Sequence, residues 1–200
     1  MQKLFRPYFA FLFMGALAVG ISSCDSNDED EPAPVEEETT IPGSINSLRI
    51  EFRPKGQPTA TPITAAYGDD DQSDNIPGTV KGDINLDPGV VYDVKVMMTD
   101  ESQSPPVDLS ANTKKTQDYH EFFYSPLQGL KVSFLKTDQD KNGLPVGFTA
   151  EATTPATPSK GTLRITLKHM KKDGVILKSA TSTVNTGSTD FFAIFPVVID

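Results

Sequence analysis

Two histidines, one aspartate-rich turn and one cysteine are the residues here whose types and spacing could do chemistry. His169 closes the run "GTLRITLKH", in which Leu163, Ile165 and Leu167 share its parity. Successive strand side chains alternate between faces, so His169 ends such a strand on its apolar side. In "HEFFY", His120, Phe122 and Tyr124 likewise share a face. Where these strand ends meet, two imidazoles would lie together at one end of the fold, beside Tyr124 and Met170. Paired imidazole nitrogens are ligands for a transition metal ion or for haem iron. Two alone make a weak site, so a carboxylate such as Glu121 or Asp118 would be needed as third ligand. The alternative is a hydrogen-bonded histidine pair that closes the core.

The stretch "KTDQDKNGLPVG" offers oxygen rather than nitrogen. Asp138, Asp140 and Asn142, followed by Gly143, reproduce the opening of a calcium loop, in which alternate side-chain oxygens point inward and glycine permits the tight turn. An EF-hand would place a bidentate glutamate at the twelfth position, which here is Thr149, and would need flanking helices. A calcium-binding hairpin of a β protein remains, with Glu151 or the acidic loop of Asp69, Asp70, Asp71 and Asp74 as further donors. A polar hairpin turn without an ion is the alternative.

Covalent and acid–base catalysis find little support. No serine near either histidine sits in a Gly-x-Ser-x-Gly turn. There is no His-Glu-x-x-His and no glycine-rich phosphate loop, so the chain reads as a non-enzyme.

Cys24 lies between an apolar run and a run of acids. "MQKLFRP" carries Lys3 and Arg6 and no acid, and residues 8–21 are uncharged and apolar. At ~1.5 Å per residue that run makes a helix of about 21 Å, short of the ~30 Å that a permanent span must cross, so residues 1–23 read as an export signal. Ile21-Ser22-Ser23-Cys24 resembles the lipobox of bacterial lipoproteins, which implies that Cys24 carries lipid and becomes the new amino terminus. A single cysteine permits no intrachain disulfide. An unmodified thiol behind a secretory signal is the alternative, whereas two or three acyl chains would anchor the protein stably.

Eight acids crowd between Asp25 and Glu38, with Pro32 and Pro34 among them. So much charge with so little apolar bulk cannot form a core, and residues 24–43 are expected to be an extended, disordered tether. The chain's net charge of -9 is mostly this segment: from Thr39 onward there are 19 acids against 16 bases. That balance gives no basis for nucleic-acid binding.

The elements that must position the histidines are strands. Leu48, Ile50 and Phe52 alternate with Arg49, Glu51 and Arg53, and Val90, Tyr92, Val94, Val96 and Met98 repeat the pattern. Shorter runs follow at Leu130–Phe134, Val146–Ala150 and Leu163–Leu167. In "TDFFAIFPVVID", Phe191, Ala193, Phe195, Val197 and Ile199 share one face and Phe192, Ile194 and Val198 the other, so this strand is expected to be covered on both sides. Pro196 implies an open or bulged edge there. Turn signals "NIPG", "LDPG", "DKNG" and "KKDG" separate the runs, and "DLSANTKKTQDY" has room for a helical turn or two. The pattern predicts one all-β domain over 44–200: an antiparallel, immunoglobulin-like β-sandwich or flattened barrel of about seven to nine strands.

In order along the chain, the lipobox with its acidic run, "LDPGVVYDVKVMM", "HEFFY", "DQDKNGLPVG", "GTLRITLKH" and "TGSTDFFAIFPVVI" together resemble a family of small Bacteroidetes surface lipoproteins. Its members are often labelled type 1 periplasmic-binding-fold proteins, and their genes commonly neighbour TonB-dependent receptors. The label implies an α/β fold, against which the strand pattern argues. Acid directly after the lipidated cysteine resembles the family's signal for the outer face of the outer membrane; a periplasm-facing lipoprotein is the alternative. The resemblance places His120 and His169 on the family's histidine positions. The family is largely uncharacterised, and the reading favoured here is a lipid-anchored binding module that captures metal or haem for a TonB-dependent transporter. The rival expectation is a structural or adhesive lipoprotein that binds proteins or glycans, with both histidines in the core.

Overall fold

Alternating apolar residues need a second apolar face to pack against, and two stacked sheets supply it. The computed structural model describes residues 46–68, 78–100, 104–105 and 107–200. Cys24 with the expected signal and tether, and the acidic loop of Asp69, Asp70, Asp71 and Asp74, lie outside the described residues.

In chain order the strands begin with β1 (Ser47–Pro54), β2 (Ile63–Gly68), β3 (Thr79–Lys81), β4 (Ile84–Leu86), β5 (Val91–Asp100) and β6 (Val107–Asp108). A short helix, α1 (Ser110–Lys115), follows within the "DLSANTKKTQDY" stretch. Then come β7 (His120–Leu127), β8 (Ser133–Lys136), β9 (Thr149–Thr153), β10 (Ser159–His169), β11 (Lys171–Lys172), β12 (Val175–Ile176) and β13 (Ser188–Ile199). One sheet runs β3-β2-β1-β5-β9-β8 with β6 on β5, and the other runs β4-β13-β10-β7. Pairing is antiparallel except for β4 on β13.

The fold is thus all-β, and of the two expected architectures it is the sandwich; the sheets do not close into a barrel. Leu48, Ile50 and Phe52 of β1 and Tyr92, Val94, Val96 and Met98 of β5 share one buried cluster with Leu163, Ile165 and Leu167 of β10 and Ala193, Phe195, Val197 and Ile199 of β13. Tyr67 of β2 reaches across to meet Phe191 and Phe195 edge-on, with centroids 6.1 and 6.4 Å away. At the other side, Tyr124 of β7 stacks on Phe134 of β8 at 4.7 Å.

Eight strands have four or more residues, within the expected number; the other five of the thirteen described have two or three. Such short strands show no period-two signature. The hairpin between β11 and β12 turns on Asp173 and Gly174, both at positive φ (50° and 76°), as a two-residue primed turn requires.

One expectation is corrected. β13 is not covered on both sides: Phe192 and Ile194 are 41% and 36% exposed. Among the described residues no second layer lies over them; instead the guanidinium of Arg164, on the neighbouring strand, lies 4.2 Å from the centre of the Phe192 ring. The β4 ladder touches only Val197 to Ile199, so it starts just after Pro196.

Candidate metal centre

Register brings the two histidines together. Antiparallel β7 and β10 pair Leu167 with Phe122 and His169 with His120, so the apolar row runs on into two imidazoles on adjacent strands. Nδ1 of His169 lies 3.2 Å from Nε2 of His120, with the rings nearly perpendicular at 84°. His120 is fully buried, and the side chain of His169 is one-fifth exposed.

A third group arrives through a bulge. β13 pairs Phe191 with Leu167 and Thr189 with Lys168, which leaves Asp190 as the extra residue of the ladder. Strict alternation would put Asp190 on the outer face with Phe192 and Ile194, but a bulge re-aims its residue. The Asp190 carboxylate accordingly reaches the histidines: Oδ2 is 3.0 Å from Nε2 of His120 and 3.8 Å from Nδ1 of His169. Gly187 makes the entry to β13 possible. Its φ is +70°, and a Cβ there would stand 2.1 Å from the carbonyl oxygen of His169.

The ring of His120 is oriented from behind. Its Nδ1 lies 2.9 Å from the carbonyl of Thr116, the residue that caps α1 at its C-terminal end. A carbonyl can only accept, so Nδ1 carries the proton and Nε2 of the neutral ring presents a lone pair. Metal-binding histidines are held by this kind of backbone contact. The Tyr119 ring flanks both imidazoles, with centroids 4.7 Å from His120 and 5.2 Å from His169. The Tyr119 carbonyl accepts the amide of Met170 at 2.7 Å, which ties the approach to β7 to the end of β10.

Two acceptors, Nε2 of His120 and Oδ2 of Asp190, therefore face each other at 3.0 Å beside a second imidazole. The two groups are placed to share a proton or a metal ion. An ion with ~2.0–2.1 Å bonds in tetrahedral geometry sets its ligand atoms about 3.4 Å apart. The three separations here, 3.0, 3.2 and 3.8 Å, bracket that value. Among the described residues this trio is the cluster of His, Cys, Asp or Glu side chains able to hold an ion in common.

The expected carboxylates are engaged elsewhere. Glu121 pairs with Lys136, and Asp118 with Lys141 at 3.0 Å. Glu121 points away because it follows His120 by one residue and so takes the other face of β7. Burial pushes the Glu121 carboxyl up despite the Lys136 ammonium, and burial likewise pulls Lys136 down. Tyr124, four residues into β7, serves a different end: its hydroxyl donates to the carbonyl of Gly147 at 2.7 Å. Tyr119 takes the place beside the histidines that had been expected of Tyr124.

Asp138, Asp140 and Asn142 do share one turn, but backbone and lysine donors occupy its oxygens. Asp138 accepts the amides of Gly147 and Phe148 at 2.7 and 2.9 Å. Oδ1 of Asp140 accepts those of Asn142 and Leu144 at 2.8 and 3.0 Å, while its Oδ2 accepts the ammonium of Lys178 at 3.0 Å. Both partners of that last pair have fully buried side chains. Burial works to raise the Asp140 carboxyl, but the amides and Lys178 outweigh it and hold it below the ordinary carboxylate range. Lys178 thus supplies the cation that calcium would have brought, and Asn142 contributes its amide. Lys178 also donates to the Gln117 carbonyl at 2.7 Å, which ties this turn to the segment that presents Thr116.

Asp190 is the candidate ligand that parity alone misses. The signal for it was the "TGSTD" that opens the strand, where a glycine and small polar residues mark an irregular entry. Compared with protein-family models, curated proteins and solved structures, the chain finds no match.

Proposed function

We propose that this domain is a non-enzymatic binding module that holds one divalent first-row transition-metal ion between His120, His169 and Asp190. The observation that carries the reading is the convergence of three ligand atoms at 3.0–3.8 Å around a ring whose far nitrogen is already committed to a carbonyl. Two imidazoles and one carboxylate suit zinc or its neighbours, with a further coordination position left for water or a donor molecule. Haem fits less well, because bis-histidine ligation puts the macrocycle between the two nitrogens, and here they are in direct contact at 3.2 Å. Calcium, a hard ion that takes six or more oxygens, suits neither this set nor the Asp140 turn with its lysine.

In the same reading Cys24 carries the lipid anchor and the acidic run that follows is a leash. The module then sits at the outer membrane, facing outward, and passes its ion to a TonB-dependent receptor. The rival reading, a structural or adhesive lipoprotein with both histidines in the core, has one observation in its favour: His120 and Asp190 at 3.0 Å also make a sound ion pair.

Metal content and melting temperature separate the two. With free zinc at a hundredfold excess over its Kd, linkage stabilises a binder by ~2.7 kcal/mol, or about 5–10 °C in Tm for a domain of this size. The chain is expected to carry one ion, and chelator to lower its Tm by that amount; His120→Ala and His169→Ala lose both effects. A wild-type Tm indifferent to zinc and chelator would leave only the structural reading.

A further inference from the structure

The outer face of the second sheet carries a feature that neither the histidines nor the lipid anchor uses. Along β10, Arg164, Thr166 and Lys168 alternate with the core residues and point outward together. With Ser125 of β7, Thr189 of β13 and Asn185 of the preceding loop they line a groove of ≈ 500 Å³.

Two of these groups are short of partners. Lys168 is only 5% exposed, yet its ammonium meets just the Thr189 hydroxyl, at 3.0 Å, and no carboxylate pairs with it among the described residues. Glu121 stands directly across the ladder from Lys168 but pairs with Lys136. Thr166 is 1% exposed and its Oγ1 has no hydrogen-bond partner among the described residues. A buried ammonium without a counter-ion and a buried hydroxyl without a partner both cost stability. Arg164 adds a second cation, resting on the face of Phe192. No acid lines the groove among the described residues.

We propose that this groove binds an acidic sugar, a saccharide unit bearing a carboxylate or sulfate. The anion neutralises Lys168 and Arg164, and its oxygens give Thr166 the partner it lacks. The groove is far larger than a single anion, and its remaining polar lining is hydroxyl and amide, groups that both donate to and accept from sugar hydroxyls. Exposed Leu127 and Val184 offer apolar surface for the carbon face of a pyranose. The groove lies on the face opposite the buried histidine row, although Lys168 and Thr189 adjoin His169 and Asp190 in the chain.

The test is calorimetric titration of the intact protein at low salt with glucuronate, glucose and inorganic sulfate. Glucuronate should bind at least about tenfold more tightly than either of the others, since each ligand fragment forfeits part of the set. Arg164→Gln and Lys168→Gln should each weaken glucuronate by about tenfold or more, the size expected for a lost charge-assisted hydrogen bond. Arg164 is partly exposed, so its variant keeps the test sound if Lys168→Gln folds poorly. Thr166→Val should melt higher than wild type, because it removes an unpaired hydroxyl, and should bind glucuronate more weakly. No glucuronate binding, equal affinity for glucose or sulfate, or affinity unchanged in Arg164→Gln would overturn the proposal.

Discussion

With its Nδ1 proton committed to the Thr116 carbonyl at 2.9 Å, the neutral His120 ring turns a lone pair to the space it shares with His169 and Asp190. In the proposed metal site that one hydrogen bond would make a buried histidine a directed ligand, with Asp190 as the decisive partner. Asp190→Asn keeps the shape and removes the charge, so zinc affinity should fall by tenfold to a hundredfold or more while the fold persists. Asp118→Asn and Glu121→Gln remove the carboxylates that sequence spacing favoured, and zinc affinity should hold in both, because those groups face Lys141 and Lys136. Competition titrations against a chromophoric chelator give all three values. Loss of affinity in Asp118→Asn but not in Asp190→Asn would reassign the third ligand.

At the scale of elements, what could be read in advance was what period two controls. Leu163, Ile165 and Leu167 pointed His169 correctly, and Phe122 did the same for His120; register then set the two opposite each other. What alternation could not show was any break in alternation. The bulge at Asp190 moves that side chain to the face its parity denies it, and the trigger, Gly187, acts through contact with a carbonyl eighteen residues earlier in the chain. Phe192 and Ile194 misled for a related reason: apolar residues on both faces of a strand imply a second covering layer, but one arginine from the next strand can shield an aromatic ring. The same geometry makes Gly187→Ala a sensitive probe of the entry to β13. An added methyl at φ +70° and 2.1 Å from the His169 oxygen cannot be accommodated without moving the strand start. The variant should lose about 1–3 kcal/mol in urea unfolding and bind zinc more weakly than wild type, although it removes no ligand. Unchanged stability and affinity would mean that the bulge does not depend on that close approach.

Across the whole molecule, buried charge sets the response to pH. Asp140 and Asp108 are both desolvated, yet amide and hydroxyl donors and nearby lysines hold both carboxyls below their ordinary range. A carboxyl depressed in the fold contributes stability above its unfolded pKa of about 3.9 and loses it as pH falls through the lower folded value. Glu121 runs the other way: burial raises its carboxyl, so its contribution is present below about pH 4.3 and fades as pH rises through the folded value. The protein should therefore lose stability steeply below about pH 4. Asp140→Asn should be less stable at pH 7, since it leaves the Lys178 ammonium buried without its anion, and should show a shallower acid limb. Urea midpoints between pH 2 and 7 measure both, and parallel acid limbs would remove Asp140 from the account.

The central claim, one ion shared by three named atoms, is tested most directly by anomalous diffraction at the zinc absorption edge, on crystals grown with equimolar zinc. A single strong peak is expected about 2.0–2.2 Å from Nε2 of His120, one ring nitrogen of His169 and a carboxylate oxygen of Asp190. A cluster without a peak under those conditions, or a peak seated on other residues, would contradict it.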